Sequence, residues 1–579
     1  VKPLQPKRWN VLEGDPRVER KLCKELRLHP MIAHLLVCRG IASPEDAEIF
    51  LNPSLDRMHD PFLLPDVNLA CDRLKTALAK NEKILVHGDY DGDGVTSAAL
   101  WTRTLRSLGA DVDVFVPHRK RDGYDMRVPI IEQAREQGVT LIVTTDCGIQ
   151  RVDEVEHARQ YGIDVIITDH HTPGPAGSLP QAVAVINPQR ADSKYPFRHL
   201  AGVGVAFKVC EALTATLGHG VAGFRRGFLD LASIGTVTDV MPLVDENRII
   251  VKHGLEALTT TKKPGLRALI TTCGFNDRAI SAMDIGFGIG PRLNAASRID
   301  ETQIALDLLM TKDPTEADRL ASRLNDLNDM RRDEQKRIFD EAMEQVARQD
   351  ADEVRCLVVS GKNWSAGIVG IVASKITDKC HRPAVVIALD SEGKSARGSA
   401  RSISAFHLYD AIHGCRDLLV EYGGHAHAAG LSIEGSRIEE FAERMNEAAS
   451  KLTEEQLTPT IDVDAEVHPS EVTDELLCAI ETMAPFGSGN PEPRFVSRGV
   501  PVLEASRMGS EKQHLRLTLR AEGLNGMDSV QAPWWRYGDL ADHLLPGTSI
   551  DLCYRPTFNV WNRRRRIQFM IEDLQPADF

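Results

Sequence analysis

The sequence predicts an α/β protein of several domains: a parallel-sheet domain, a long connecting helix, a second α/β lobe and a small C-terminal β-barrel of the OB-like kind. Three observations carry this. Between 83 and 171, short apolar runs alternate with stretches of helical spacing, the pattern of a parallel sheet with right-handed crossovers. From about 300 a stretch rich in helix formers runs on with no proline after Pro314. Beyond 456, short β patterns follow one another with turn signals and little helix. At 579 residues the chain also exceeds what one core can hold.

In chain order, residues 1–68 read as a helical segment ending in the Pro-rich FLNPSLDRMHDPFLLPD. The next domain, 69–300, opens with KILVHG (83–88), whose apolar run bounded by glycine reads as a buried strand. VTSAALWTRTLRSLGA follows, with Leu100, Thr104 and Leu108 on one helix face. VDVFVPH, TLIVTTD (140–146) and DVIITDHH (164–171) supply further strands, separated by helices around PIIEQAREQG and VDEVEHARQYG. Residues 301–352 are expected to form a solvated connecting helix. EVRCLVVSG and RPAVVIALD begin the second lobe, 353–455. RFVSRGVPVLEA, HLRLTLRAEG, SIDLCYRPTF and RRIQFMIEDL are the strands expected in the barrel, 456–579.

Composition limits the function classes. No window approaches 18 uninterrupted apolar residues, so no membrane span is expected. The first twenty residues lack an apolar signal core. The 11 cysteines are scattered, odd in number and never spaced CxxC, which fits reduced thiols in a cytoplasm better than a disulfide framework or zinc site. A net charge of −14 opposes nucleic-acid binding unless a local basic groove supplies it.

DYDGDGVTSAAL (89–100) opens like a calcium-binding EF-hand loop, with aspartates at positions 1, 3 and 5. The bidentate glutamate that should close such a loop is Leu100, and a strand rather than a helix precedes it. The aspartates therefore belong to a strand-to-helix connection. His87 with Asp89, Asp91 and Asp93, then Asp146, then Asp169, His170 and His171 each end a strand, and an open parallel sheet binds ligands beyond its carboxyl edge. Asp239, in LASIGTVTDVMPL, is a further acid of this kind. A single aspartate in such a loop commonly caps the next helix, and a lone histidine pair is commonly a packing feature. Five or more acids at one edge, however, raise each other's pKa and oppose folding unless cations neutralise them. Carboxylate and imidazole suit two divalent cations, Mn²⁺ or Mg²⁺, and a carboxylate bridging a pair about 3.5–4 Å apart is the arrangement of two-metal phosphoesterases. No Ser or Cys nucleophile with a partnering base stands out, which agrees with water as the attacker.

VHGDYDGDGVTS, TTDCGI, TDHH and GTVTDVMPL together resemble the ordered motifs of the DHH phosphoesterase family. LAGVGVAFKV, GPRLNAASRID, GGHAHAAG and APFGSGNPEP extend the resemblance over nearly the whole chain, toward that family's single-strand-specific 5′→3′ exonucleases. The resemblance implies that His87 and Asp91 hold one cation and Asp93, His170 and Asp239 the other, with Asp146 bridging. It implies further that Asp89 supports the loop, His171 faces the scissile phosphate and Arg298 stabilises charge developing on the phosphoryl group. The second lobe resembles the DHH-associated domain. Arg119, Tyr124, Ser399 and Arg401 match positions used for a 5′-terminal phosphate. Gly423, Gly424 and His425 open a Gly-rich turn, read either as a close approach to the nucleic acid or as an ordinary tight turn.

The last domain resembles an OB-fold, for which Trp561 and Arg563, Arg564, Arg565 and Arg566 are the candidate contacts to single-stranded DNA. That run reads equally as a solvated hairpin tip. The implied protein is a cytoplasmic monomer acting in repair or recombination on single-stranded DNA with a free 5′ end, with a helicase and a single-strand-binding protein as candidate partners. A small-substrate phosphoesterase and a catalytically inactive single-strand-binding scaffold are the alternatives. Gly92, GYDM at 123–126, Ser297, Ser365 and Ala400 depart from the family's usual residues, and none of them is a candidate metal ligand.

Overall fold

The side chains of Lys83–Gly88 are buried on both faces after its first residue. A strand of that kind is stable only at the centre of a sheet covered on both sides. The computed structural model describes residues 7–577, apart from 120, 124, 175, 176, 277, 300, 351, 352, 525, 526, 562 and 563, and supplies that environment. A five-stranded all-parallel sheet runs in the order Asp111–Phe115, Lys83–Gly88, Val139–Thr145, Asp164–Thr168, Ala184–Ile186. The strand order reverses direction at Lys83–Gly88, so a crevice opens beyond the carboxyl ends of that strand and Val139–Thr145. Helices Gly92–Ser107 and Gly202–Thr216 pack together and onto the sheet, as do Val128–Glu136 and Val152–Gln160.

Two compact units divide the chain: 58–242 with 246–457, and 1–57 with 243–245 and 458–579. In the first unit the connecting helix is Pro314–Val346, not a run from 300. Asp313 accepts a hydrogen bond from the Thr315 N–H and Pro314 occupies the first turn, a start signal that separates it from the short helix Gln303–Met310. Nor is the helix solvated all round, because Leu320, Leu324, Leu327 and Ile338 are buried along one side. The second lobe is a mixed sheet ordered Leu419–Gly424, Ala428–Glu434, Ser395–Arg401, Ala384–Leu389, Leu357–Lys362.

In the other unit, Phe495–Met508, His514–Leu524, Met527–Trp534, Arg564–Pro576 and Ser549–Trp561 pair in that order, and the last pairs back with the first to close a barrel. The N-terminal segment opens with a strand, Arg8–Val11, which pairs with Thr460–Val463. Its helices are too short to bury their apolar faces alone, and Leu22, Ile32, Leu35 and Leu36 join Phe495, Leu517 and Phe569 in one core. Among the described residues no helix is long and apolar enough to cross a membrane.

Candidate functional site

Each acidic side chain at the crevice is placed by a backbone feature. Asp91 caps the helix Gly92–Ser107: one carboxylate oxygen accepts from the N–H groups of Asp93 and Gly94, both at 3.0 Å. Asp93 is buried and accepts from the first two N–H groups of the helix Gly202–Thr216, Gly202 at 2.7 Å and Val203 at 2.9 Å. The positive end of that helix steadies the carboxylate. Asp146 and Val240, beside Asp239, take φ of +63° and +57°, a left-handed backbone costly for a β-branched residue and found where function over-determines the chain. Gly202 must be glycine, since a Cβ there would stand 2.5 Å from Asp146 Oδ1.

Asp169 is fully engaged in shaping the turn. It accepts from the N–H groups of His170 and His171, from the Ile149 N–H, and from His171 Nδ1 at 2.7 Å. Burial opposes a charged His171, yet the bond to Asp169 and the surrounding carboxylates hold it up to about 10. Asn187 and Gln189, just beyond the next strand, donate to the carbonyls of His171 and His170 and bolt the turn.

Three groups of side chains come within 4.8 Å of one another: Asp89, Asp91 and Asp146; Asp93, His170 and Asp239; and Asp146, His170 and His171. Asp146 and His170 each belong to two groups. Asp89, expected only to support the loop, stands with the candidate ligands, whereas His87 falls in none of the three groups.

The buried atoms His87 Nε2, Asp89 Oδ1, Asp146 Oδ1 and His170 Nε2 make no hydrogen bond. His170 Nε2 lies 3.1 Å from Asp146 Oδ1 and 3.6 Å from Asp239 Oδ2 without bonding geometry, its other nitrogen turned to the Leu200 backbone. Burial holds His87 and His170 down to about 4, neutral with a lone pair to offer. Burial and mutual repulsion push Asp93 up to about 7 and Asp239 up to about 8, and hold Asp89 and Asp146 well above the carboxylate range. Leaving such atoms unbonded is expensive, and divalent cations remove that cost. The donor set, carboxylate oxygens with imidazole nitrogens, fits hard or borderline ions such as Mg²⁺ and Mn²⁺.

Arg298 lies on the helix Gly290–Ile299 and donates to the Gly367 carbonyl of the second lobe at 2.9 Å. One turn earlier, Asn294 accepts the Gly92 N–H at 2.7 Å, tying this helix to the aspartate loop. Gly92 itself is closely packed: a Cβ there would meet Thr238 Cγ2 at 2.6 Å, so a side chain would require Thr238 to shift. The Arg119 guanidinium stacks over the Tyr90 ring at 5.1 Å. In the second lobe Ser399 and Arg401 share one face of their strand and hydrogen-bond each other at 3.2 Å, while Ala400 points into the core, so that departure leaves the polar face intact. Gly423 and Gly424 end a strand rather than form a free turn, and Gly424 needs its freedom, with φ of +143° and a virtual Cβ 2.4 Å from the Ala428 carbonyl. His425 lines an open cleft of about 390 Å³ together with Arg151, His170, His171, Gln189 and Met241.

The barrel carries a groove of about 650 Å³ lined by Arg516, Gln531, Trp535, Asn559, Arg566 and Gln568, among others. Trp535 is 53% exposed with its ring against His514. Of the arginine run, Arg566 faces this groove and Arg564 shares its side of the strand by alternation. Arg565 points the other way, over Phe558 and toward Glu481. Tyr124, Arg563 and the Trp561 side chain lie outside the described residues. Trp535 and Arg516 went unread in the sequence, although two adjacent tryptophans followed by arginine at a strand end are a stacking cue.

Residues 83–236 match the DHH family, N-terminal domain, residues 353–451 the DHHA1 domain and residues 463–573 the RecJ OB domain. The single-stranded-DNA-specific exonuclease RecJ of Bacillus subtilis is 38% identical over 99% of this chain and 71% of its own length. Crystal structures of RecJ from Thermus thermophilus superpose with TM-scores of 0.84 for the Mn²⁺ complex and 0.78 for the Mg²⁺ complex. They are 31% and 30% identical and cover 99% of this chain and 80% and 79% of theirs. With its domains in this order and its crevice built from these motifs, the chain belongs to the RecJ family.

Proposed function

We propose that the chain is a metal-dependent exonuclease that hydrolyses single-stranded DNA from its 5′ end to 5′-mononucleotides. The observation that carries this reading is the set of buried, unbonded ligand atoms on His87, Asp89, Asp146 and His170 at the sheet's carboxyl edge. The relatives' naming as single-stranded-DNA-specific exonucleases and their structures with Mn²⁺ and Mg²⁺ support it.

In this reading Asp146 is shared between two cation sites, one drawing on Asp91, Asp89 and His87, the other on Asp93, His170 and Asp239. When bound, the cations acidify water and offset charge on the phosphoryl oxygens. The residues themselves position the substrate. Arg298 faces the charge that develops on the phosphoryl group, and His171, held by Asp169, stands at the mouth of the cleft. Arg119, Ser399 and Arg401 receive the 5′-terminal phosphate, and a guanidinium fork suits its oxygens. Trp535, Arg516 and Arg566 in the barrel groove take the strand by stacking and phosphate contact, which supplies the local basic surface that the net charge withholds. Repair or recombination in a cytoplasm, action as a monomer, and cooperation with a helicase and a single-strand-binding protein complete the reading.

The test is a single strand of about 40 nucleotides, longer than the ~4–16 that one such barrel covers, labelled at either end and incubated with Mn²⁺. The 5′ label is expected to leave at once as mononucleotide while the 3′ label persists on shortening strands. Binding without cleavage would favour a scaffold, and cleavage only of very short oligomers a small-substrate enzyme.

A further inference from the structure

Two of the arginines on the long helix Pro314–Val346 find acids. Arg323 pairs with Glu301, and Arg337 with Glu334 and Glu341. Arg331, between them, does not. Its Nη1 donates to Gln335 Oε1 at 2.9 Å and its Nη2 to Asn328 Oδ1 at 2.6 Å, and both amides are buried. Arg292, on Gly290–Ile299, is held the same way, by the Gly288 carbonyl at 2.9 Å and by Asn325 Oδ1 at 3.1 and 2.9 Å. Arg298 has the Gly367 carbonyl. Among the described residues none of the three forms an ion pair within 4.0 Å, and Asp329, the acid acting on Arg331, is itself engaged by Asn325.

These cations also crowd one another. Burial, then Arg119 and Arg331, push Arg298 down to about 10, and burial, then Arg332 and Arg292, lower Arg331. Half-buried guanidinium groups that are oriented by neutral oxygens and repel each other are costly unless an anion arrives. Their planar forks match phosphate oxygens. Because Asn294, on the helix of Arg292 and Arg298, holds the Gly92 N–H of the aspartate loop at 2.7 Å, the row starts at that loop and leads away from it along two packed helices.

We propose that Arg331, with Arg292, forms a second phosphate station that takes a backbone phosphate of the single strand other than the scissile one. This rests on the exonuclease reading above. It extends the substrate contact beyond the terminal nucleotide and onto the connecting helix.

Binding to the full-length protein in EDTA, where no turnover occurs, tests it with a 5′-phosphorylated oligothymidylate of about 12 nucleotides and with thymidine 5′-monophosphate. Arg331→Gln is expected to raise Kd for the strand about tenfold and to flatten the dependence of log Kd on log salt by about 0.7, the single-strand value for one phosphate. The mononucleotide should weaken less than about twofold, because it lacks the second phosphate. Arg331→Lys, which keeps the charge, should keep the salt slope and regain part of the affinity. Unchanged strand affinity and slope in Arg331→Gln, or equal losses for strand and mononucleotide, would overturn the station. A wild-type protein that binds with the expected slopes but leaves the strand intact in Mn²⁺ would overturn the exonuclease reading and leave the station standing.

Discussion

Asp146→Ala is expected to abolish hydrolysis, with turnover falling on the order of 10³-fold or more, about 4 kcal/mol of barrier. Asp146 is central to the crevice: it belongs to two of the three candidate ligand groups, its Oδ1 is buried without a hydrogen bond, and it lies 3.1 Å from His170 Nε2. Removing it would take a shared carboxylate from both cation sites at once. Asp146→Asn separates charge from shape, since asparagine tolerates the +63° φ that alanine resists. It should lose activity to a similar degree while the metal-free protein melts within a few degrees of wild type. Strand binding should stay measurable in both variants, because the barrel groove is untouched. Near-normal turnover in either would refute the shared role.

Stripping the cations is expected to abolish turnover and to make stability fall with pH. Without cations, Asp93 titrates at about 7 and Asp239 at about 8, so the folded protein binds protons there that an unfolded chain with ordinary carboxyls has lost. By linkage, stability then decreases as pH rises. His87 and His170, lowered from 6.5 to about 4, act in the opposite sense only below about 6.5. His171, held up to about 10, acts in the same sense as the two acids above 6.5, so the window is about pH 6.5 to 10. Melting curves of EDTA-treated protein across it should show a falling Tm. Mn²⁺ should restore both Tm and activity, adding about 2.7 kcal/mol when present at 100 times its Kd. A Tm that is flat with pH and unmoved by Mn²⁺ would mean that the acids are not a cation site.

Much of this site was legible because its parts lie at strand ends, where local sequence carries the signal. KILVHG before DYDGDG and TLIVTTD before CGI each announce a strand and a loop in one short continuous stretch. What remained hidden is held by partners distant in sequence. Nothing local in LAGVGV shows that Gly202 and Val203 bind Asp93, nor in RLNAAS that Asn294 holds Gly92. Asp89 reads as a loop support until its unbonded oxygen is seen beside Asp91 and Asp146. The barrel strand Met527–Trp534 escaped because Pro533 disfavours a strand reading, although Val530, Ala532 and Trp534 alternate inward. The union of the N-terminal helices with the barrel spans some 450 residues of sequence and left no local trace. It also means that excising 456–579 would bare Leu22, Ile32 and Leu36, so barrel function is better probed by substitution at Trp535 or Arg566.

The most direct measurement is anomalous diffraction at the manganese edge from crystals of the wild-type protein grown with Mn²⁺. Two peaks about 3.5–4 Å apart are predicted, with Asp146 contacting both and Asp91 and His170 on opposite sides. A single peak, or peaks away from Asp146, would contradict the paired-cation account.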